Sequence, residues 1–357
     1  MIAYPLAVYL IWRLIILLFQ IYIQPFYKLT PDSLYLWDRL FNSWTTYWDA
    51  SHYLSIATSG YNFPQQAFFP LWPLLIKVTI MLGLSSQTAS YFLTFILGFL
   101  NFILFYLLAA KLVGKIDAKW ALVFFSCYPG AIFLHAGYSE NLLLFSTLLS
   151  FLLLENKKYY LAALSAGFST ASRMVGVGTV ISFWFINTTI RNRLFMSIVG
   201  ILGLVSYMIF LYLNYGDFWF FIKGQQAWCQ AAGRCNFTFP LTPLLQYGRL
   251  LILGWVRVGL SSSFIDWFSS VAFLSLLFLV WQKLPRYYFI YSLIVLSMPL
   301  LSGSTVSMIR LTQVAFPVFF ILPKVLKNKP VMIVVASVLL LLELRFVAFF
   351  TSRLWVA

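Results

Sequence analysis

The chain offers few side chains for acid–base chemistry, so each acidic residue is informative. Nine of its 357 residues are Asp or Glu, and a helix surrounded by lipid needs none of them. His52 and Tyr53 follow Asp49 at the third and fourth positions, which in a helix places all three on one face. A carboxylate there can act as a general base. The alternatives are that Asp49 caps a helix and that His52 is an interfacial or packing histidine.

Two arginines lie in otherwise apolar sequence, where a charge is costly. Arg173 follows the short run 169–172, and Arg310 precedes an apolar stretch. Ionisable residues at membrane depth usually serve function, and the guanidinium fork suits phosphate oxygens. We therefore predict that both arginines bind a phosphate group. The alternative is structural pairing with Glu140 or Asp217.

Two further acids have suggestive neighbours. Glu140 begins an apolar stretch, where it can bind substrate or interact with a helix dipole. Asp217 follows Gly216 in a loop that also holds Gln225 and Trp228. This loop can bind sugar hydroxyls between polar groups and stacked rings, or the Gly-Asp pair can simply form a turn.

The sequence predicts no metal or cofactor site. The two histidines, His52 and His135, are far apart, and no Asp-x-Asp pair is present. Cys229 and Cys235 share one loop, where they form a disulfide if that face is oxidising or remain free thiols.

These side chains belong to a chain that lipid must surround. Hydrophobic residues make up 62% of the sequence and charged residues 9%, whereas a soluble domain is about one-quarter charged. Long continuous apolar stretches favour helices of about 20 residues. Among these stretches are 3–24, 67–83, 89–110, 194–213, 247–263, 265–281 and 330–350. We predict an all-α polytopic membrane protein with roughly 10–12 crossings and a single membrane-embedded domain over residues 1–357. The stretch 3–24 lacks the cleavage site of a signal peptide and is predicted to be retained.

The net charge of +15 is predicted to fix orientation across the membrane instead of binding nucleic acid. Twelve of the 24 basic residues fall in five short stretches. They are Lys111, Lys115 and Lys119; Lys157 and Lys158; Arg191 and Arg193; Lys283 and Arg286; and Lys324, Lys327 and Lys329. Such clusters mark the cytoplasmic side. The loops 25–66 and 214–246 are then external, and the aromatic-rich first loop is predicted to form one or two helices at the membrane surface.

The stretch 67–83 conflicts with this orientation if it crosses. A crossing there, followed by another at 89–110, would place Lys111 outside when the N-terminus is inside. Pro70 and Pro73 interrupt the helical hydrogen bonds within the stretch. It is therefore predicted to dip into the membrane and return.

The sequence around Asp49 resembles the signature of the PIG-V family of mannosyltransferases, members of the GT-C class of polytopic glycosyltransferases. The matching residues are Trp48-Asp49-x-Ser51-His52-Tyr53-x-x-Ile56-Ala57-x-x-Gly60-Tyr61, followed by Phe68-Phe69-Pro70-Leu71-Trp72-Pro73-Leu74. Shorter similarities follow in the family's order at Ser139-Glu140, at Arg173-x-x-Gly176, at Gly216-Asp217 with Gln225 and Trp228, and at Arg310 with Phe316-Pro317.

The resemblance implies a GT-C-like helical bundle that transfers mannose from a polyprenyl (dolichyl-type) phosphate to a lipid-linked or glycan acceptor, with inversion. It implies Asp49 as the base, since an acid in the first external loop is catalytic in that class. His52 would orient the base or the acceptor. Arg173, Arg310, Glu140, Asp217, Gln225, Trp228 and Tyr53 would bind substrate. Tyr47 stands where the family usually has Arg, so another basic residue must contact the donor phosphate.

Eukaryotic members of the family add the second mannose of the GPI anchor, and shorter prokaryotic relatives exist. The length of this chain favours a prokaryotic cell membrane over the endoplasmic reticulum, with the site on the external or lumenal face. A transporter or flippase for a lipid-linked sugar is the alternative function, since it would need the same headgroup-binding side chains. The sequence contains no visible internal repeat of the kind transporters often show.

Overall fold

The computed structural model describes residues 2–23, 36–231, 237–256, 261–354 and 356. These residues form α-helices, short 3-10 segments and turns, with no strand among them, which confirms the predicted all-α class. The α-helices are α1 (Ala3–Ile23), α2 (Leu36–Thr46), α3 (Asp49–Ser59), α4 (Leu71–Met81), α5 (Ser86–Val113), α6 (Lys115–Cys127), α7 (Glu140–Glu155), α8 (Tyr159–Ser172), α9 (Val177–Ser182), α10 (Ile190–Tyr215), α11 (Phe220–Ala231), α12 (Thr242–Ile252), α13 (Ser262–Lys283), α14 (Arg286–Leu300), α15 (Met308–Val314), α16 (Pro317–Leu326) and α17 (Lys329–Thr351).

Five of the described helices are long and apolar enough to cross a bilayer alone. They are α1, α5, α10, α13 and α17. The pair α15 and α16 also qualifies when taken together, with a bend of 85° between its halves. By length and composition the described residues thus provide five or six spans, and the remaining predicted crossings fall on shorter helices.

The helix ends gather at two opposite ends of the bundle. At one of them, which we call the site end, α3, α7 and α15 begin and α8 finishes. Ion pairs among Asp49, Glu140, Arg173 and Arg310 join these termini. The 16 residues of α7 span roughly 24 Å at 1.5 Å per residue, so this helix leads from the site end to the opposite end.

The opposite end, which we call the basic end, is held together around the last residue of α7. The Nζ of Lys111 donates to the carbonyl oxygen of Glu155 at 2.8 Å. The hydroxyl of Tyr287, near the start of α14, donates to the Glu155 carboxylate. Tyr4, at the start of α1, likewise donates to the carbonyl of Lys119 at 3.2 Å. The ends of α5 and α7 and the starts of α1, α6 and α14 therefore share this side.

The five basic stretches of the sequence all lie at the basic end. The rings of Tyr160 and Phe195 contact each other at 4.8 Å, so α8 and α10 both begin there. Lysines at the ends of α13 and α16 line one cavity with residues from the first turns of α6. The predicted segregation of positive charge to one side of the protein is confirmed.

The stretch 67–83 does not cross. Its helix, α4, has eleven residues, and the indole Nε1 of Trp72 donates to the carbonyl of Gly137 at the site end. A Cβ on Gly137 would meet Ser90 in the first turns of α5, so α5 begins at the same end. Both α4 and α5 therefore begin at the site end, as the predicted dip requires, and Lys111 lies with the other basic stretches.

The predicted span 247–263 is wrong. The helix α12 ends at Ile252 and a turn follows it. Its two faces differ: Leu244 is buried, whereas Leu245 and Ile252 are exposed. Such a one-sided apolar helix suits the membrane surface better than a full crossing.

The two loops predicted to be external pack on each other. Within the first loop, α2 and α3 confirm the predicted short helices. Gly224 of α11 lies so close to the first loop that a Cβ would come within 2.8 Å of Ala67 N and Pro64 O. Trp228 also donates to the carbonyl of Pro64 at 3.1 Å. Residues 24–35 and Cys235 lie outside the described residues, and so does the choice between a Cys229–Cys235 bridge and two free thiols.

Candidate active site

Four charged side chains from distant parts of the sequence meet at the site end. Nη1 of Arg310 lies 2.6 Å from Oδ2 of Asp49, and Nε of Arg310 lies 2.8 Å from Oε1 of Glu140. Nη1 of Arg173 lies 2.5 Å from the same Glu140 oxygen. We call this group the carboxylate–arginine cluster. Its two carboxylates and two guanidinium groups balance in formal charge.

The four side chains of the cluster differ in their exposure to solvent. The side chain of Glu140 is 1% exposed, those of Arg310 and Arg173 are 11% and 21% exposed, and that of Asp49 is 29% exposed. Glu140 is therefore the buried counter-ion of both arginines. Asp49 and Arg173 remain accessible to a molecule that approaches from the membrane surface.

Asp49 does not cap its helix. It is the first residue of α3, Trp48 occupies the capping position, and no side chain forms a capping hydrogen bond there. The carboxylate turns instead to Arg310. Trp48 has a φ of 55°, a conformation that non-glycine residues seldom adopt and that is found at functional sites. The capping alternative is wrong for Asp49.

Arg310 owes its position to a further acid, one without charged neighbours in the sequence. The buried Asp266 of α13 accepts hydrogen bonds from the backbone N of Ser307 and of Ile309, at 3.2 and 2.7 Å. These bonds fix the beginning of α15, a helix of only seven residues that carries Arg310. An acid within an otherwise apolar predicted span was the available signal.

Arg173 stands at a sharp change of backbone direction. It follows the last residue of α8 with an extended conformation, and a 3-10 segment over Met174–Gly176 comes next. A Cβ on Gly176 would lie 2.3 Å from the carbonyl oxygen of Ser169. The glycine of the Arg-x-x-Gly pattern is therefore needed because the segment after Arg173 folds back onto α8.

Glu140 begins α7, as predicted, and pairs with both arginines. Both arginines therefore pair with Glu140, and Asp217 pairs with Lys223 instead. The preceding residue, Ser139, shares a hydrogen bond of 2.6 Å with the hydroxyl of Tyr53 and lies 3.5 Å from Nη1 of Arg173. Tyr53 thus connects α3 to the buried side of the cluster.

His52 lies beside Asp49 in an aromatic setting. Its ring stacks on Phe68 at 5.2 Å and meets the edge of Trp228 at 4.9 Å. Its Nδ1 lies 3.4 Å from Nε2 of Gln65. Burial lowers the pKa of His52 below its usual value of 6.5, and the Asp49 charge partly opposes this effect. The imidazole is therefore neutral at pH 7.

Asp217 is held in a turn outside the cluster. Its Oδ2 lies 2.7 Å from Nζ of Lys223, and its Oδ1 accepts from the backbone N of Trp219 at 2.8 Å. These bonds keep the pKa of Asp217 below its usual value. The structure therefore favours the turn-forming alternative. Gln225 of α11 is exposed, whereas Trp228 of the same helix packs on His52.

Among the residues that the structure describes, no group of three or more His, Cys, Asp or Glu could hold a metal ion. The cluster offers instead one accessible carboxylate and two guanidinium groups at one face of a membrane bundle. That arrangement defines a polytopic membrane protein with a partly exposed charged site at one end of its helical bundle.

The chain belongs to the family described as Mannosyltransferase (PIG-V), whose model matches residues 10–232. The match contains Asp49, Glu140 and Arg173, and it ends before Arg310. Membership confirms the resemblance found in the sequence.

Three relatives are similar over parts of the chain. GPI mannosyltransferase 2 of Schizosaccharomyces pombe is 30% identical over 211 residues, which are 53% of this chain and 44% of the yeast protein. GPI alpha-1,6-mannosyltransferase 2 of Homo sapiens is 32% identical over 149 residues, 38% of this chain and 30% of the human protein. The protein of that name from Cricetulus griseus is 35% identical over 148 residues, 37% of this chain and 29% of its own length. The chain spans less than half the length of each relative.

Proposed function

We propose that the protein transfers mannose from a polyprenyl (dolichyl-type) phosphate to a hydroxyl of a lipid-linked or glycan acceptor, with inversion. The observation that carries the proposal is the carboxylate–arginine cluster. Its members come from four separate family-like motifs, yet each charged group lies 2.5–2.8 Å from a group of opposite charge in the cluster. Family membership and the names of the relatives support mannose as the sugar.

Asp49 would serve as the general base. The acceptor oxygen attacks the anomeric carbon, its proton passes to the Asp49 carboxylate, and the bond from that carbon to the phosphate oxygen breaks. The bonding electrons leave with the phosphate, which needs no proton donor. One carboxylate therefore suffices, in contrast to the paired acids of glycoside hydrolysis.

The two arginines would stabilise the departing phosphate. Charge grows on its oxygens as the bond breaks, and guanidinium groups fixed beforehand stabilise that charge without reorganising. Arg173 is the more exposed of the two and would meet the phosphate first. Glu140 would act as a positioning residue, because it holds both guanidinium groups from the buried side. This arrangement supplies the basic contact that Tyr47, in place of the family's arginine, cannot give.

The rings beside Asp49 would contact the sugar. Neutral His52, with Phe68 and Trp228 against it, forms a partly exposed aromatic surface next to the base. Such surfaces suit the apolar faces of sugar rings, and the imidazole can orient the acceptor hydroxyl. Tyr53 would act indirectly, through Ser139. We assign Asp217 and Gln225 no contact with the reacting groups.

The site would face the external or lumenal side, because the basic end carries the charge pattern of a cytoplasmic face. A GPI intermediate is an acceptor suggested by the names of the relatives. A prokaryotic cell membrane, with another lipid-linked acceptor, is the location we favour.

The test uses the purified full chain in phosphatidylcholine vesicles with polyprenyl-phosphate mannose and a panel of lipid and glycan acceptors. We expect transfer by the native protein and loss of transfer in Asp49→Asn, with donor binding retained. Arg173→Gln should weaken donor binding, whereas Arg191→Gln, an exposed arginine at the basic end, should leave both properties intact. Transfer that survives in Asp49→Asn would refute the base role. Donor movement across the vesicle without transfer would favour the flippase.

A further inference from the structure

A second polar site lies at the basic end, on the opposite side of the bundle from the carboxylate–arginine cluster. It is a cavity of about 590 Å³ between the start of α6, the end of α13, the end of α16 and the start of α17. Four lysines line it: Lys283, Lys324, Lys327 and Lys329. Asp117 is the acid that lines it with them. We call this cavity the lysine pocket.

Some other basic residues at the same end are bound to protein groups. Lys111 donates to Glu155 and Asn156, Arg193 donates to a backbone carbonyl, and Arg286 lies over the ring of Trp281 at 5.2 Å. Among the described residues, no carboxylate lies within 4.0 Å of the ammonium group of any of the four pocket lysines.

The pocket therefore concentrates positive charge. Four ammonium groups against one carboxylate leave a formal excess of three. Orientation of the protein requires lysines on this side, but it does not require lysines from three separate segments to surround one concavity. Their mutual repulsion is unfavourable unless an anion enters. Lys329 is also the first residue of α17, so the partial positive charge of that helix N-terminus adds to the attraction.

The surroundings indicate the kind of anion. Ile116, 76% exposed, and Trp120 line the pocket beside the lysines. On α17, Val331 and Val334 are exposed just beyond it. An apolar surface next to a basic concavity fits a molecule with both a phosphate and hydrocarbon chains. We propose that the lysine pocket binds the headgroup of an anionic phospholipid.

The test measures lipid binding to the purified full chain in detergent by native mass spectrometry. Dioleoyl phosphatidylglycerol is titrated against dioleoyl phosphatidylcholine, which carries the same chains without net charge. The double variant Lys324→Gln/Lys327→Gln is compared with Lys157→Gln/Lys158→Gln, which removes two lysines from the same end outside the pocket. The pairs are matched, because Lys327 and Lys157 both have positive φ.

We expect the native protein to prefer phosphatidylglycerol. At about 1 kcal/mol for each lysine near a phosphate, the pocket variant should bind it roughly 30-fold more weakly. The control should change less than about threefold, and both variants should keep the native melting temperature, as surface substitutions generally do. Equal losses in the two variants, or equal binding of the two lipids, would overturn the proposal. Displacement of bound phosphatidylglycerol by inorganic phosphate alone would show that the pocket takes free phosphate instead.

Discussion

Replacing Glu140 with Gln should destabilise the protein more than any other single change in the cluster. The side chain keeps its size but loses the charge that faces Arg173 at 2.5 Å and Arg310 at 2.8 Å. Because the side chain at position 140 is 1% exposed, water cannot take the place of the lost carboxylate. Removing one partner of a buried ion pair costs about 3–5 kcal/mol, a large share of a stability of about 5–15 kcal/mol. Arg310 keeps its contact with Asp49. Most of the lost stability should therefore come from Arg173, which has no other carboxylate beside it among the described residues.

The assay is reversible unfolding of the detergent-solubilised protein, followed by circular dichroism, for the single variants Glu140→Gln and Arg173→Gln and for the double variant. If the two side chains stabilise each other, the double variant should be less destabilised than the sum of the single ones by about 1–3 kcal/mol. Asp217→Asn breaks an exposed pair with Lys223 and serves as the control, with no measurable change expected. Additive effects at Glu140 and Arg173 would refute the shared counter-ion.

Three further outcomes follow from the geometry of the site. Gly176→Ala places a Cβ against the carbonyl of Ser169 and should cost about 1–3 kcal/mol by overpacking; an unchanged unfolding midpoint would contradict this fit. Because burial lowers the pKa of His52, the unfolded chain binds more protons below pH 6.5, so stability should fall from pH 6.5 downward. His52→Gln should flatten that pH dependence of stability. Identical pH profiles of the native protein and the variant would show that His52 does not cause it. Asp266→Asn weakens the hydrogen bonds at the start of α15, the helix that carries Arg310. Binding of polyprenyl-phosphate mannose should then be about tenfold weaker. Unaltered affinity would exclude a positioning role for Asp266.

Local pattern was sufficient for the long apolar helices. The apolar runs predict α1, α5, α10, α13 and α17 closely, because a helix is the conformation that satisfies a lipid-exposed backbone. The prolines at 70 and 73 indicated the dip of α4. The apolar run 247–263 misled, because hydrophobicity alone does not distinguish a span from the one-sided face of a surface helix.

Side-chain partners were harder to predict than helices. The sequence selected Asp49, Glu140, Arg173 and Arg310 because ionisable groups are rare in an apolar chain, but it left the pairing open. It also offered Asp217 as an equal candidate, although a lysine six residues away holds that acid in its own turn. Asp266 was visible as an acid in a span, and nothing local showed that it supports α15.

The sequence by itself determined that lipid surrounds the chain, that the chain is helical and that positive charge lies on one side. It also contained the family-like motifs. Composition and short-range spacing carry all of this information. Only the tertiary structure decided that Glu140 lies beneath both arginines and that Arg310 reaches Asp49, 261 positions away. The physical reason is that a charge in lipid must find its partner wherever the packed helices bring one. Helix packing, unlike helix formation, depends on contacts between residues remote in the chain.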